Sequence, residues 1–375
     1  MQNETVYVSG MGDAFIPGKY FADFHKYSPI RMFDLYRDDH GKVSRFLKNG
    51  GTVVLSGNWK DILSLGEYLK SRECEFLRTA RDKRQRNELS ARLQQRVLVT
   101  LDNTPVKTSA ADPGIEAGLV GEKTIPPGVP VLLPVSEAER LSNDLDTLFT
   151  VEPAGSSLRT HPDMLTPRSK ETISLMCRAI QDCKACLPVN PKILDMGCGS
   201  GVLTIVAWRI LKDLGPDITA TDILPEAVAM TRLNVKHNLD MDIKPGCIAN
   251  ETTFGAVKAT EAGDLFSPVP DAKYDLIVFN APWVKAPARN RAELALNDEG
   301  QETIRRFLEE CPLHLLPNGR VILGYSDNSG AKAIDRLEKF ISDAGLRIAA
   351  IMSDRIKTYS SNKPWQKIFA YILVR

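Results

Sequence analysis

Residues 193–207 read Ile-Leu-Asp-Met-Gly-Cys-Gly-Ser-Gly-Val-Leu-Thr-Ile-Val-Ala, and this stretch decides the fold. Its apolar beginning predicts a buried strand, its alternate glycines predict a tight turn, and its apolar end predicts the start of a helix. Glycine adopts positive φ angles readily and lets a ligand approach the backbone closely. Because open α/β sheets bind ligands at the carboxyl ends of their strands, we expect a binding site at this turn.

The chain around this turn alternates short β-branched runs with amphipathic stretches, which is typical of an α/β domain with a parallel sheet. We predict strands at 192–196, 218–222, 275–280, 320–325, 347–353 and 367–374. We predict helices at 202–214, 225–238, 300–315 and 331–344. Only the polar loop 354–366 joins the last two strands, which leaves no room for a crossover helix, so the last strand is expected to be antiparallel.

The length and composition indicate a globular protein of two domains. Its 375 residues carry 48 Lys and Arg against 47 Asp and Glu, a net charge of +1, which excludes a strongly basic nucleic-acid coat. Residues 105–134 are rich in proline and glycine and predict a linker. We therefore expect an N-terminal α+β domain at 1–150, which recognises the substrate, and a second domain at 151–375.

The same sequence predicts a cytoplasmic protein. No apolar run reaches the length of about 18 to 20 residues that a membrane span needs. The N-terminus has no cationic segment followed by an apolar one, so we predict no signal peptide. Seven cysteines are scattered along the chain, which indicates reduced thiols rather than a disulfide framework.

An acidic residue, Asp195, stands two positions before the first glycine of the turn. The glycine spacing is G-x-G-x-G rather than the G-x-G-x-x-G of dinucleotide sites, and a carboxylate there would repel a pyrophosphate. It suits instead a cation such as the amino group or sulfonium of S-adenosylmethionine. Asp222 ends the next strand, where a carboxylate accepts hydrogen bonds from ribose hydroxyls. A nicotinamide dehydrogenase and a turn that only closes a βα connection are the alternatives.

A second motif, Asn280-Ala281-Pro282-Trp283, follows another apolar strand. The Asn280 carboxamide oxygen and the Ala281 carbonyl can each accept one N–H of a planar NH₂ group, and this aims the nitrogen lone pair at a methyl donor. Pro282 fixes the backbone of the turn. Trp283 offers a face on which a base, a heteroaromatic ring or an amide can stack. A turn without function is the alternative explanation.

Together these motifs resemble the class I S-adenosylmethionine-dependent methyltransferases. The branch they resemble contains the release-factor glutamine methyltransferases and the small-subunit rRNA guanine-N2 methyltransferases. Five stretches carry the resemblance over about residues 150–375: the Pro-Arg segment 166–172, the cofactor loop 195–201, residues 221–234 with Thr221-Asp222-Ile223 and Asn234, the acidic turn Gly263-Asp264-Leu265-Phe266, and Asn280-Ala281-Pro282-Trp283 where the family has Asn-Pro-Pro-aromatic.

This resemblance implies a Rossmann-like sheet of seven mostly parallel strands with an antiparallel last strand, and S-adenosylmethionine as the cofactor. The cofactor residues it implies are Asp195, Gly197, Cys198, Gly199, Gly201, Asp222, Ile223, Asp264, Leu265 and Asn280. The catalytic residues are Asn280, Ala281, Pro282 and Trp283, and the substrate residues are Arg168 and Trp283. The function it implies is N-methylation of a planar amino or amide nitrogen of a small molecule or a protein. The alternatives are an RNA base methyltransferase, a nicotinamide-dependent oxidoreductase and a non-catalytic binding module.

Two further patterns are interpreted as structural. Cys183-Lys-Ala-Cys186 lacks the second cysteine pair that a zinc site needs, so we predict ordinary thiols and no metal. Residues 70–96 hold nine cations against four acids, which could follow a phosphate backbone, but no aromatic residue comes after Phe76. A solvated helix face is the interpretation we adopt.

Overall fold

The structure is a computed structural model that describes residues 5–18, 20, 29–35, 40–70, 83–103, 117–122, 128–239, 256–357 and 364–375. The chain divides into two compact units. The first comprises Met1–Pro113 and Val120–Asp146, and the second comprises Gly114–Leu119 and Thr147–Arg375. Parts of the predicted linker, of the basic run 70–96 and of the loop 354–366 lie outside the described residues, as do residues 240–255 between α7 and the acidic turn at 263–266.

The first unit contains a four-stranded sheet with helices between its strands. A separate antiparallel pair is formed by β1 (Thr5–Val8) and β2 (Gly12–Phe15). The sheet consists of β3 (Ile30–Asp34), β4 (Thr52–Ser56), β5 (Val97–Thr100) and β6 (Leu132–Pro134), in that spatial order. Its helices are α1 (His40–Lys48), α2 (Trp59–Lys70), α3 (Lys83–Gln94) and α4 (Val135–Asp146).

The first three strands of this sheet are parallel and only β6 is antiparallel. The α+β arrangement expected for residues 1–150 therefore differs from what the described residues form, since helices alternate with the parallel strands. The reason is connectivity, because parallel neighbours need a crossover, which α1 supplies between β3 and β4.

The second unit is built on a seven-stranded mixed sheet of order β11-β10-β9-β12-β13-β15-β14. Its strands are β9 (Lys192–Met196), β10 (Asp217–Thr221), β11 (Ala256–Ala259), β12 (Tyr274–Asn280), β13 (Leu315–Ser326), β14 (Arg347–Lys357) and β15 (Trp365–Val374). The short antiparallel pair β7 (Phe149–Val151) and β8 (Ser156–Leu158) precedes it. The helices are α5 (Lys170–Lys184), α6 (Val202–Leu211), α7 (Pro225–Leu239), α8 (Glu302–Glu310) and α9 (Ala331–Asp343).

All six predicted strands are present, and β15 is antiparallel to both of its neighbours, as expected. The seventh strand, β11, which the resemblance implies but the sequence did not locate, has only four residues. The predicted helix 300–315 was wrong at both ends. Gly300 and Gln301 have positive φ angles, so α8 begins at Glu302, and Pro312 lies in a 3₁₀ turn that ends the helix before β13.

Two apolar clusters, one on each face, bury this sheet. The first contains Ile193, Val278 and Ile322 with side chains of α5 and α6, and the second contains Leu194, Phe279 and Leu323 with side chains of α8 and α9. Consecutive residues of β9 therefore point to opposite faces, both of them buried. No helix among the described residues has the length and apolar character to cross a membrane.

Candidate active site

The glycine turn joins the central strand β9 to α6. Gly197, Gly199 and Gly201 all have positive φ angles, and Gly201 is the N-cap of α6. A Cβ atom at Gly201 would lie 3.1 Å from the Thr231 backbone, so this position also needs glycine for close packing. The turn is thus as the sequence predicts, a bend that brings backbone close to whatever binds there.

Asp195 lies buried beneath this turn, with 2% of its surface exposed. Its Oδ2 accepts a hydrogen bond of 2.5 Å from the Thr204 hydroxyl, whereas its Oδ1 has no hydrogen-bond partner among the described residues. Burial, aided by the nearby Asp222 charge and opposed by the Thr204 hydrogen bond, raises the pKa of the Asp195 carboxyl to about 7. An unsatisfied carboxylate oxygen at this depth calls for a cation or donor from a ligand.

Asp222 lies just after β10 and faces the same turn. Its two oxygens accept backbone hydrogen bonds of 2.9 Å from Gly199 and from Leu224. Burial raises the pKa of this carboxyl to about 6. Each carboxylate oxygen accepts about two hydrogen bonds, so both retain capacity for ligand hydroxyls.

Helix α7 holds the turn from the other side. The Thr231 hydroxyl donates to the Gly199 carbonyl, and the Asn234 amide nitrogen donates to the carbonyls of Ser200 and Arg159. Asn234 also accepts from the Arg159 N–H at 2.8 Å, so its side chain pairs with both backbone groups of that residue. One buried asparagine thereby fixes the turn and the chain after β8 together.

Beyond the carboxyl ends of β9, β10 and β12 lies a cleft of about 480 Å³ within the second unit. Eleven of the predicted site residues line it, namely Arg168, Gly197, Cys198, Gly199, Asp222, Ile223, Asp264, Leu265, Asn280, Pro282 and Trp283. Asp195, Gly201 and Ala281 do not line it. Asp195 and Ala281 are buried behind its wall, so contact of a ligand with the Asp195 carboxylate or the Ala281 carbonyl requires a small movement that exposes those oxygens.

Asn280 ends β12 and is positioned by β13. It pairs in register with Gly324, and the Ala281 N–H donates to the Gly324 carbonyl at 3.2 Å. The Asn280 Oδ1 is buried and has no hydrogen-bond partner among the described residues. A Cβ at position 324 would lie 2.5 Å from that oxygen, so the side chain can occupy its place only because residue 324 is glycine.

A segment that follows Trp283 forms one wall of the cleft. Trp283 and Val284 both donate backbone hydrogen bonds to the Leu296 carbonyl, which closes residues 284–296 into a loop. Arg291 of this loop donates a 2.7 Å hydrogen bond to Glu226, a fully buried residue at the start of α7. The ion pair fastens the loop to the helix that carries the turn-binding Thr231 and Asn234.

The remaining predicted residues are placed at the periphery. Asp264 forms a 2.6 Å ion pair with Arg306, and both are partly exposed. Arg168 is exposed at the opening of the cleft. Cys183 is buried, which raises the pKa of its thiol to about 12, and Cys186 is exposed.

The sequence analysis missed three residues that organise the site: Thr204, Gly324 and Arg291. Thr204 lies nine residues after Asp195 on the helix that begins at the turn, a spacing that could have suggested the contact. Gly324 interrupts an apolar strand, and an isolated glycine in a strand indicates a close approach. Nothing in the local sequence indicates that Arg291 reaches Glu226.

The residues of the cleft fit a cationic nucleoside. The orphaned Asp195 oxygen suits a positive charge, Asp222 suits hydroxyls, and the apolar Ile223 and Leu265 suit a flat base. The fold and the site therefore define a methyltransferase domain of the S-adenosylmethionine-dependent class. Residues 184–346 match the family model described as methyltransferase small domain. The match confirms the resemblance seen in the sequence and S-adenosylmethionine as the cofactor of the class.

Three known proteins illustrate what this chain is similar to. A ribosomal protein uL3 glutamine methyltransferase of Bradyrhizobium diazoefficiens is 34% identical over 35% of this chain and 39% of its own length. A release factor glutamine methyltransferase of Deinococcus radiodurans is 27% identical over 46% of this chain and 58% of its own. A ribosomal RNA large subunit methyltransferase G of Aeromonas salmonicida is 32% identical over 28% of this chain and 26% of its own length. The chain thus spans less than two thirds of the length of each of these relatives.

Proposed function

We propose that this protein transfers the methyl group of S-adenosylmethionine to a planar amide nitrogen, that of a glutamine side chain in a protein. The buried Asn280 Oδ1 without a partner, beside the cleft, carries the proposal. Two of the relatives described above are named as glutamine methyltransferases, and this favours a protein amide over a small molecule.

The cofactor, when bound, supplies an activated methyl group. The cofactor would be held by Asp195, Asp222 and the three glycines of the turn. Its adenine base would lie against Ile223, Asp264 and Leu265. Asn280 and the Ala281 carbonyl would each accept an N–H of the acceptor amide and so orient its lone pair. Pro282 fixes the turn, and Trp283 would stack on the amide plane, with Arg168 at the opening of the cleft. No strong base is required before attack, because the acceptor nitrogen is held rather than ionised; once its bond to the methyl carbon has formed, the nitrogen would lose one N–H proton to solvent.

Substitution of Asn280 tests the proposal. Asn280→Ala should abolish methyl transfer, by at least about 100-fold, and leave the affinity for S-adenosylhomocysteine within about threefold of the unaltered protein, because the lost interaction positions the acceptor. Asn328→Ala, at an exposed turn, is the matched control and should keep full activity. Full activity in Asn280→Ala would refute the role of this side chain.

The nature of the acceptor is tested with methyl-labelled cofactor and a cell extract. Label in a glutamine amide is released as methylamine by acid hydrolysis, whereas label in RNA is recovered in nucleosides after nuclease digestion. We expect methylamine from the protein fraction.

Label in nucleosides alone would instead favour the second candidate, an RNA base methyltransferase. The rRNA methyltransferase among the relatives and the stacking face of Trp283 are what favour that candidate.

A further inference from the structure

The outer half of the β14–β15 hairpin presents a face of cations and aromatic rings that the proposed reaction does not use. Three cross-strand pairs form it, Ser353 with Phe369, Arg355 with Lys367 and Lys357 with Trp365. In an antiparallel pair, residues directly opposite project from the same face, with Cβ atoms about 5 Å apart. We call these six residues the hairpin face.

The register of β14 separates this face from the packed one. Met352, Asp354 and Ile356 alternate with the face residues, and Met352 and Ile356 pack against the core cluster that contains α5. Asp354 pairs with Arg178 of α5 on that side. The residues of β14 at 353, 355 and 357 are exposed, as are Lys367 and Trp365, whose exposed fraction is 53%.

The charge on the hairpin face is uniformly positive. Like charges directly opposite each other destabilise a strand pair, yet Arg355 and Lys367 are opposite and Lys357 lies two residues further along. Among the described residues, none of the three forms an ion pair with a carboxylate. Asp327, the nearby acid, accepts the backbone N–H of Lys367, and the Lys367 ammonium lies 5.0 Å from the centre of the Phe369 ring.

The spacing and the rings indicate which anion the face fits. Residues two apart on a strand are separated by about 6.7 Å, so Arg355 and Lys357 form a row along which successive phosphates of one strand can pair. Trp365 adds an exposed flat apolar surface, and stacking of bases on such a ring is a common way in which single-stranded nucleic acids are held. Phe369 is half-buried against the cluster of α8 and α9, and its ring carries the Lys367 ammonium. An acidic peptide would use the cations but would gain little from the rings.

We propose that the hairpin face binds a segment of single-stranded RNA. Ile356, between Arg355 and Lys357 in sequence, lines the cleft from the opposite side of β14, so the hairpin face and the cleft lie on two sides of the same strand. The RNA is held here as a docking partner. The binding surface is independent of whether the methyl acceptor is an amide or a base.

Fluorescence anisotropy of a labelled random-sequence 12-nucleotide RNA with the full chain tests this proposal. Neutralisation of two cations, Arg355→Gln with Lys357→Gln, should weaken binding about 10- to 30-fold at 0.1 M salt. It should also lower the slope of log affinity against log salt by about 1.4, since each phosphate contact contributes about 0.7. Trp365→Ala should weaken binding at least fivefold and leave the salt slope unchanged.

Lys192→Gln with Lys212→Gln is the matched control, because both lysines are exposed, Lys192 at the start of β9 and Lys212 in the 3₁₀ turn that follows α6. It should bind RNA as the unaltered chain does. Equal RNA binding by the hairpin variants, or no RNA binding by the unaltered chain, would overturn the proposal.

Binding of a poly-glutamate peptide as tightly as RNA, unaffected by Trp365→Ala, would also overturn it in favour of an acidic protein. The affinity for S-adenosylhomocysteine, measured on each variant, should be unchanged. It therefore separates failure of this surface from failure of the proposed function.

Discussion

At the scale of single residues, the site depends on two buried side-chain oxygens, Asp195 Oδ1 and Asn280 Oδ1, that have no hydrogen-bond partner among the described residues. Asp195→Asn keeps an acceptor for the Thr204 hydroxyl and removes the charge. We expect this variant to bind S-adenosylhomocysteine at least about tenfold more weakly by calorimetry, because the cation of the ligand loses its counter-charge. The free protein should at the same time unfold at a higher temperature at pH 8.

The pH dependence of both effects follows from the raised pKa values of about 7 for Asp195 and about 6 for Asp222. A carboxyl whose pKa is higher in the folded state favours folding most when neutral, so the contribution of these two carboxyls to stability is greatest below about pH 4 and is lost as the pH rises through 7. Ligand affinity should rise over the same interval, because the ionised form holds the cation. A pH-independent affinity between 5 and 8 would contradict this account.

The other buried oxygen, on Asn280, depends on Gly324. Gly324→Ala should reduce methyl transfer at least about 30-fold, because the added Cβ would lie 2.5 Å from the Asn280 Oδ1 and displace it. Gly66→Ala in α2 is the control, since a Cβ there meets nothing within 4 Å. Steady-state kinetics distinguish them, and normal turnover in Gly324→Ala would show that the side chain can move without consequence.

At the scale of elements, α7 acts through two asparagines one turn apart. The side-chain amide of Asn234 pairs with the backbone N–H and carbonyl of Arg159, just after β8. The side-chain amide of Asn238 pairs in the same way with Ser157, within β8. Only Asn234 also bonds the Ser200 carbonyl of the cofactor turn. Both Asn→Ala variants should lower stability by about 1–3 kcal/mol, because buried backbone groups lose partners.

Asn238→Ala is also the control for the effect of Asn234→Ala on cofactor binding. Asn234→Ala should in addition weaken S-adenosylhomocysteine binding, because the turn is released, whereas Asn238→Ala should leave that affinity unchanged. Chemical denaturation and calorimetry together decide the matter. Equal loss of affinity in both variants would mean that α7 acts as a unit and not through the contact to Ser200.

Elements with strong local signals could be predicted from the sequence. Strand β9 and the starts of α6 and α7 were predicted to the residue, because glycine and Pro225 mark them and apolar runs continue from them. The start of α8 could not be predicted, because Gln301 adopts a positive φ angle. In this conformation its side-chain amide donates hydrogen bonds to the Tyr325 hydroxyl and the Ala333 carbonyl. Those contacts are long-range, and no local pattern reports them.

At the scale of the whole molecule, the second unit includes a short segment from the first half of the chain. Gly118 packs so closely against α7 that a Cβ would lie 2.6 Å from both the Pro225 carbonyl oxygen and the Ala229 Cβ. Gly118→Ala should therefore destabilise the second unit by about 1–3 kcal/mol. Calorimetric scanning of the full chain measures this, with Gly66→Ala again as the control, and an unchanged transition would show that the segment adapts at no cost.

The discontinuity of that unit has a consequence for synthesis on the ribosome. Residues 117–119 emerge about a hundred residues before the helix on which they pack, and translation proceeds at roughly 5–20 residues per second. The nascent segment must therefore wait for roughly 5 to 20 s without its native neighbour, and the chain cannot complete its catalytic half by folding strictly from one end to the other.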